Sequence, residues 1–119
     1  TVEGDMHEIG KTLVGTMLIA NGFQVYDIGV DKSAEEFINT IKENNADIVG
    51  ASALLTTTML QQKKLIEKLA EADLRDKVKV MVGGAPVTES FAAEIGADGY
   101  AEDAISAVDL AFRLIDAPA

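Results

Sequence analysis

Hydrophobic positions recur along this chain with two alternating periods, one helical and one extended. Ile9, Leu13, Val14, Met17 and Leu18 share one helical face and predict a helix ending near Asn21-Gly22. Phe23 to Ile28 reads as a short strand. Ser33 and Glu36 form an S-x-x-E capping box, and behind it Ala34, Phe37, Ile38 and Ile41 keep helical spacing. Asp47 to Leu54 (DIVGASAL) has the composition of a buried strand. A longer helix is expected from Thr57 to Ala72, with Met59, Ile66, Leu69 and Ala70 inward. Val78 to Val82 predicts another strand, stopped by Gly83-Gly84. Thr88 caps a short helix carrying Phe91, Ala92 and Ile95, closed by Gly96. A brief strand at Gly99 to Ala101 precedes a last helix ended by Pro118. Its inward face is expected to hold Ala104, Ile105, Val108, Ala111, Phe112 and Ile115.

Strands alternating with helices imply an α/β fold with a parallel sheet covered on both faces. The right-handed crossover rule then favours a flavodoxin-like (Rossmann-like), doubly wound sheet of five strands in the order 2-1-3-4-5. Only Thr1, Val2 and Glu3 precede Gly4, so the first strand is expected to be truncated. The length of 119 residues, with 48% apolar and 25% charged residues, suits one soluble domain over 1–119. Cysteine is absent, which excludes disulfides, thiolate metal sites and a cysteine nucleophile, and favours a cytoplasmic location. Ten Lys+Arg against twenty Asp+Glu give a net charge of −10. Such a surface repels phosphate backbones and anionic lipid, so neither nucleic acid nor a membrane is an expected partner. The start, TVEGDMHEIG, is acidic and does not read as a signal peptide.

In open parallel sheets ligands bind beyond the carboxyl ends of the strands. That rule selects the segments Gly4 to Gly10, Ser52 to Thr58, Gly83 to Pro86 and Tyr100 to Ala104. The first contains His7, the only histidine of the chain. A lone histidine is most often solvated. Here it lies at the expected ligand edge, with Asp5 two positions earlier to orient the ring and glycines on both sides. One histidine without cysteine builds no closed zinc site, but a single imidazole can complete a metal held by a macrocycle. Taken alone, Gly83-Gly84 is a plain strand-to-loop turn and Ser52 a strand-end hydroxyl. Thr57 and Thr58 read equally well as helix caps, and Lys63 with Glu67 as a solvated helix face.

Together these residues resemble a known family. Asp5-x-His7-x-x-Gly10, Ser52-Ala53-Leu54 and Gly83-Gly84 match, in order and spacing, the D-x-H-x-x-G, S-x-L and G-G motifs of cobalamin-binding domains. The likeness runs over essentially the whole chain. The stretches GDMHEIGKTLV, VGGAPVT and GADGYAEDA look most like the small corrinoid proteins of anaerobic methyltransferase systems. The resemblance implies a corrinoid cofactor, cobalamin or another cobamide, bound with its own lower base off cobalt and His7 as the metal ligand. Asp5 would accept a hydrogen bond from the other ring nitrogen, and Ser52 would support Asp5. Gly83 and Gly84 would let the displaced base lie against bare backbone. Leu54 and Thr56 would line its slot on one side, and Tyr100, Ala101 and Ala104 on the other. Met6 and Ile9 would touch the corrin, beside Gly10.

The function so implied is a methyl carrier working between a substrate-specific methyltransferase and an acceptor methyltransferase, with a reductive activase as a further partner. No residue would act as a general base or nucleophile, since the cofactor carries the chemistry. The alternatives are the cobalamin domain of an adenosylcobalamin-dependent mutase and a cobalamin-sensing regulatory domain. The first would need a substrate barrel. The second would need a basic DNA-binding segment, and nothing here is basic enough. Small corrinoid proteins usually carry a helical cap ahead of this domain, and the sequence 1–119 is expected to lack it.

Overall fold

The structure, a computed structural model, describes residues 1–116. Its elements run α1 (Ile9–Ala20), α2 (Ala34–Asn44), β1 (Ile48–Ser52), α3 (Leu60–Glu71), β2 (Lys79–Gly83), α4 (Glu89–Ile95), β3 (Gly99–Tyr100) and α5 (Ala104–Asp116). Pro118, the expected helix stop, lies outside the described residues. The strands form a parallel sheet ordered β1-β2-β3, with Ile48 to Ser52 facing Lys79 to Gly83 in register. Met81 and Val82 pair in turn with Gly99 and Tyr100.

Side-chain alternation along β2 explains why the sheet is wrapped on both sides. Val80 and Val82 point into a core shared with Phe37, Ile41, Leu65, Leu69 and Ile95 of α2, α3 and α4. Met81, between them, enters a second core with Leu18 of α1 and Val108, Ala111 and Leu114 of α5. A strand with both faces covered needs apolar residues at consecutive positions, and VKVMV supplies them. Leu65, Leu69 and Val80 have almost no solvent exposure, and burial of each such side chain contributes about 1.5–3 kcal/mol.

Several expectations hold in detail. The capping box at Ser33 is complete: its hydroxyl accepts from Glu36 N at 3.3 Å while Glu36 accepts from Ser33 N at 2.9 Å. Thr88 caps α4 through Phe91 N, and Gly96 closes it in the left-handed region.

Other expectations are corrected. The sheet of the described residues has three strands rather than five. Phe23 to Ile28 forms no ladder, although Phe23 and Val25 turn toward the α1–α5 core while Gln24 and Tyr26 are exposed, as an extended segment would have them. The backbone that follows it meets Thr1-Val2: Thr1 N donates to Gly29 O at 3.0 Å, and Val2 forms one parallel bridge with Lys32. Val2 N also donates to Ser52 O at 3.1 Å, so this short segment lies between Lys32 and β1.

The inward faces of two helices are rotated from those expected. On α3, Ala70 is exposed, and Gln62 and Leu65 are buried instead. On α5, Ile105, Phe112 and Ile115 are exposed, and Ala107, Leu110 and Leu114 take the interior. In both cases the true face is centred about one residue away. Of these α5 side chains, Phe112 meets the ring of Phe23, with centroids 5.0 Å apart. Ile9 and Leu13 of α1 are likewise exposed, leaving Leu18 as the buried residue of that helix.

Leu69→Ala is expected to destabilise the chain by about 2–5 kcal/mol, and Ser33→Ala by about 1 kcal/mol. Urea unfolding followed by circular dichroism measures both, and equal losses would contradict the packing described.

Candidate functional site

The loop that leaves Val2 at the carboxyl end of β1 is organised by Asp5, which has 0% solvent exposure. A carboxylate without water must collect donors from the protein. Asp5 Oδ1 accepts from His7 N at 3.0 Å and contacts His7 Nδ1 at 2.8 Å. Asp5 Oδ2 accepts from Leu54 N and from the Thr58 hydroxyl, both at 2.7 Å. Burial alone would push the Asp5 pKa up. The donors from Leu54, His7 and Thr58 outweigh it and hold the carboxyl well below the usual carboxylate range.

That ionisation fixes the state of the imidazole. A carboxylate only accepts, so His7 Nδ1 carries the hydrogen and donates it. In the neutral ring Nε2 then holds the lone pair, and it has no partner among the described residues. The His7 side chain is half exposed. A buried anion thus presents one oriented, electron-rich nitrogen toward solvent.

The surrounding loops are pinned to the same end. Asp31 N donates to Asp5 O at 2.9 Å, and Asp31 Oδ1 accepts from Gly4 N at 2.8 Å. The Thr1 hydroxyl donates to His7 O at 2.9 Å. Lys11, in the first turn of α1, reaches Asp27 at 2.6 and 2.8 Å, and Asp27 also accepts from Gly29 N. Lys11, Asp27, Asp31 and Thr58 are positioning residues that sequence reasoning missed. Lys11 sits in the first turn of α1 and Asp27 and Asp31 in ordinary polar loop contexts, and only the chain's path brings them together. Thr58 carried a signal, a hydroxyl in a T-T-T run, but it was shared with a helix cap.

The expected site residues fall into two groups. Asp5, Met6, His7, Ile9, Gly10, Leu54 and the end of β1 converge around the imidazole. Met6 is 66% and Ile9 88% exposed, and Leu54 and Leu55 are exposed as well, so the two loops that meet at Asp5 carry apolar side chains in contact with water. A Cβ added to Gly10 would meet nothing within 4 Å, so no neighbouring atom of the protein demands glycine there.

The second group gathers where the strand ends abut. Gly84 has φ +121°, and a Cβ there would lie 1.8 Å from Ala53 O. A Cβ on Gly83 would lie 2.9 Å from Ala101 O. The bare backbone of this glycine pair is therefore occupied by neighbouring backbone in this structure. Tyr100 packs against the α2–α3–α4 core, Ala104 is buried at the start of α5, and Thr56 is exposed in the turn before α3. Gln62 of α3 ties the ends of β1 and β2 together. Its Nε2 donates to Ala51 O at 2.8 Å and Gly83 O at 3.0 Å, while its buried Oε1 has no partner.

Two expectations are revised. The Ser52 hydroxyl makes no hydrogen bond among the described residues and does not support Asp5; the Thr58 hydroxyl does. Neither Thr57 nor Thr58 caps α3, whose N-cap position is Met59 without a side-chain cap.

The residues present fit a metal held chiefly by a non-protein cage. No group of three or more His, Cys, Asp or Glu side chains that could hold an ion is found among the described residues. What they offer is one lone pair, an apolar rim and open space over Gly10. An α/β sheet with a buried Asp5 paired to a half-exposed His7 at the carboxyl ends of its strands has the form of a cofactor-binding domain of the flavodoxin-like class.

Comparison with known proteins names the family. Residues 1–109 match the B12 binding domain, and the chain belongs to that family. Its corrinoid cofactor is therefore the one expected from the motifs. A dimethylamine corrinoid protein from Methanosarcina barkeri is 58% identical over 115 residues, covering 97% of this chain and 54% of the relative. The solved monomethylamine corrinoid protein from Methanosarcina barkeri superposes with a TM-score of 0.89 at 48% identity, covering 95% of this chain and 55% of that one. A chain of the methanol:cobalamin methyltransferase complex MtaBC from Methanosarcina barkeri gives 0.90 at 34% identity, with 98% and 45% covered. This chain spans about half the length of each. No helix among the described residues is long and apolar enough to cross a membrane.

The Lys11–Asp27 pair predicts a defined pH response. The Lys11 hydrogen bond holds the Asp27 pKa below its ordinary 3.8. A depressed folded pKa stabilises the fold above the unfolded value, and the gain is lost as pH falls through the folded one. Asp27→Asn should cost about 0.5–1 kcal/mol at neutral pH, the scale of a partly exposed ion pair. Urea titrations at stepped pH should show that gap constant above about pH 5 and closing below 3.8.

Proposed function

We propose that this chain is the corrinoid-binding domain of a methyl-carrying protein, holding the cofactor with its own lower base displaced and His7 Nε2 as lower axial ligand to cobalt. The observation that carries the reading is the free, oriented Nε2 left when buried Asp5 takes the other ring nitrogen. When bound, the corrinoid supplies a cobalt centre that accepts a methyl group and gives it up.

Each residue then has a definable task. His7 donates its lone pair from below. Asp5 keeps the Nδ1 hydrogen in place and raises the electron density of the ring. Met6, Ile9 and Leu54 cover apolar edges of the corrin that would otherwise face water. Gly10 leaves room where a side chain would intrude. The displaced lower base runs toward Gly83 and Gly84, between Ser52, Leu54 and Thr56 on one side and Tyr100, Ala101 and Ala104 on the other. The backbone of Ala53 and Ala101 lies close against Gly84 and Gly83 on the side where a Cβ would stand, so neither position accepts a side chain. Asp5 and His7 perform no general acid or base step; they set ligation.

Partners follow from the same reading. The methyl donor side is a substrate-specific methyltransferase and the acceptor side a second methyltransferase, with a reductive activase restoring the reduced cofactor. The names of the relatives, two methylamine corrinoid proteins and a methanol methyltransferase complex, support this class. The acidic surface, net −10, is suited to a cytoplasmic carrier that avoids nucleic acid and anionic lipid.

Reconstitution with cobalamin tests the ligation. Electron paramagnetic resonance of the divalent cobalt form should show splitting from one nitrogen that changes when histidine is labelled with nitrogen-15. His7→Ala should remove the splitting and lower retention of the cofactor by about 10-fold or more. A splitting indifferent to the label, or unchanged in His7→Ala, overturns the assignment.

A further inference from the structure

We propose that Met6 is an oxidation site of this chain: hydrogen peroxide converts its thioether to the sulfoxide, and the change weakens the hold of the loop on its cofactor. The consequence for binding rests on the functional reading above; the site of oxidation does not.

The chain has four methionines, and their surroundings differ. Met81 is buried in the α1–α5 core. Met17 is partly buried against the same core and Met59 against the other. Met6 alone lies open, with 66% of its surface in water. A thioether is oxidised by a reagent arriving from solution, so the most exposed sulfur reacts first.

That exposure is built into the backbone. The peptide group before Met6 is held through Asp5 O, which accepts from Asp31 N at 2.9 Å. The peptide group after it is held through His7 N, which donates to Asp5 Oδ1 at 3.0 Å. Asp5 itself is fully buried. With both flanking peptides fixed around a sealed carboxylate, Met6 cannot turn inward without breaking bonds that organise the site. The same two loops leave Ile9, Leu54 and Leu55 exposed, so Met6 belongs to an apolar surface at the carboxyl ends of the strands. An unbranched, polarisable side chain adapts to an irregular apolar partner.

The reaction balances with peroxide alone. One oxygen passes to sulfur as the O–O bond breaks and an S–O bond forms. Sulfur gives up two electrons, the peroxide takes them, and water leaves. The product is polar where the thioether was apolar. An apolar ligand edge laid on Met6 would have to strip water from the sulfoxide, so the oxidised loop holds it less well. The Asp5–His7 contacts use carboxylate, backbone and ring atoms and no thioether. Oxidation therefore changes the surface beside the ligating nitrogen and leaves the nitrogen itself as it was. Methionine sulfoxide reductases reverse the step, so the loss of binding is recoverable.

The first arm of the test treats the cofactor-free 119-residue chain with dilute hydrogen peroxide and follows each methionine by peptide mass spectrometry. Added oxygen should appear first at Met6, and prior loading with cobalamin should slow it there. The second arm titrates cobalamin into the oxidised chain, which should bind about 5- to 10-fold more weakly than before peroxide. Treatment with methionine sulfoxide reductases should restore the starting affinity. Met6→Leu, compared with itself before and after peroxide, should not change. Oxygen appearing first at Met17, Met59 or Met81 overturns the proposal. So does an oxidised chain that binds as tightly as before, or an equal loss on peroxide treatment of Met6→Leu. A parent chain that takes up no cobalamin overturns the functional reading and the consequence drawn for binding, while the cofactor-free map decides the oxidation site on its own.

Discussion

A carboxylate sealed from water has to be matched by donors, and the carboxyl end of this sheet is arranged around that requirement. Asp5 draws one backbone N–H from the end of β1, one from its own loop, one hydroxyl from the turn before α3 and one ring nitrogen. These partners are up to 53 positions away in sequence. An unpaired buried charge would cost several kcal/mol, so the loops cannot drift apart without large loss. The ordering of His7 follows from this. The ring is half exposed, yet its tautomer and direction are set by a group solvent never reaches.

The helices were legible in the sequence because their signals are local. Ser33 and Glu36, Thr88 and Gly96 are caps written within a few positions, and all behave as read. The rotation of α3 and α5 was not legible. Both helices carry more apolar residues than one face can bury, and the choice between Ala70 and Leu65, or between Phe112 and Leu110, depends on what the sheet presents opposite. Likewise, Phe23 to Ile28 has the alternation of a strand, but a ladder needs a neighbouring backbone of equal length. The segment at Thr1-Val2 provides one bridged position.

Motif spacing paired Asp5 with His7, and the two side chains meet at 2.8 Å. It misassigned the hydroxyl. Ser52 ends β1 and Thr58 follows it closely, and period alone cannot say which turns toward Asp5. The turn closed by Leu55 and Thr58 decides it. Gly83 and Gly84 were read as bare surface for a flat group; the structure shows the same surface pressed against Ala53 and Ala101. Both readings require glycine, and the sequence pattern could not distinguish them.

Gln62 gives that closed seam a mechanical character. One amide grips a carbonyl near the end of each of two adjacent strands, Ala51 O and Gly83 O, and leaves its own oxygen without a donor. Anything that wedges the strand ends apart strips two acceptors at once and gives the orphaned oxygen a chance to find a donor. Parting these strand ends would cost Gln62 both of its acceptors, so α3, which carries the amide, is tied to the spacing of β1 and β2.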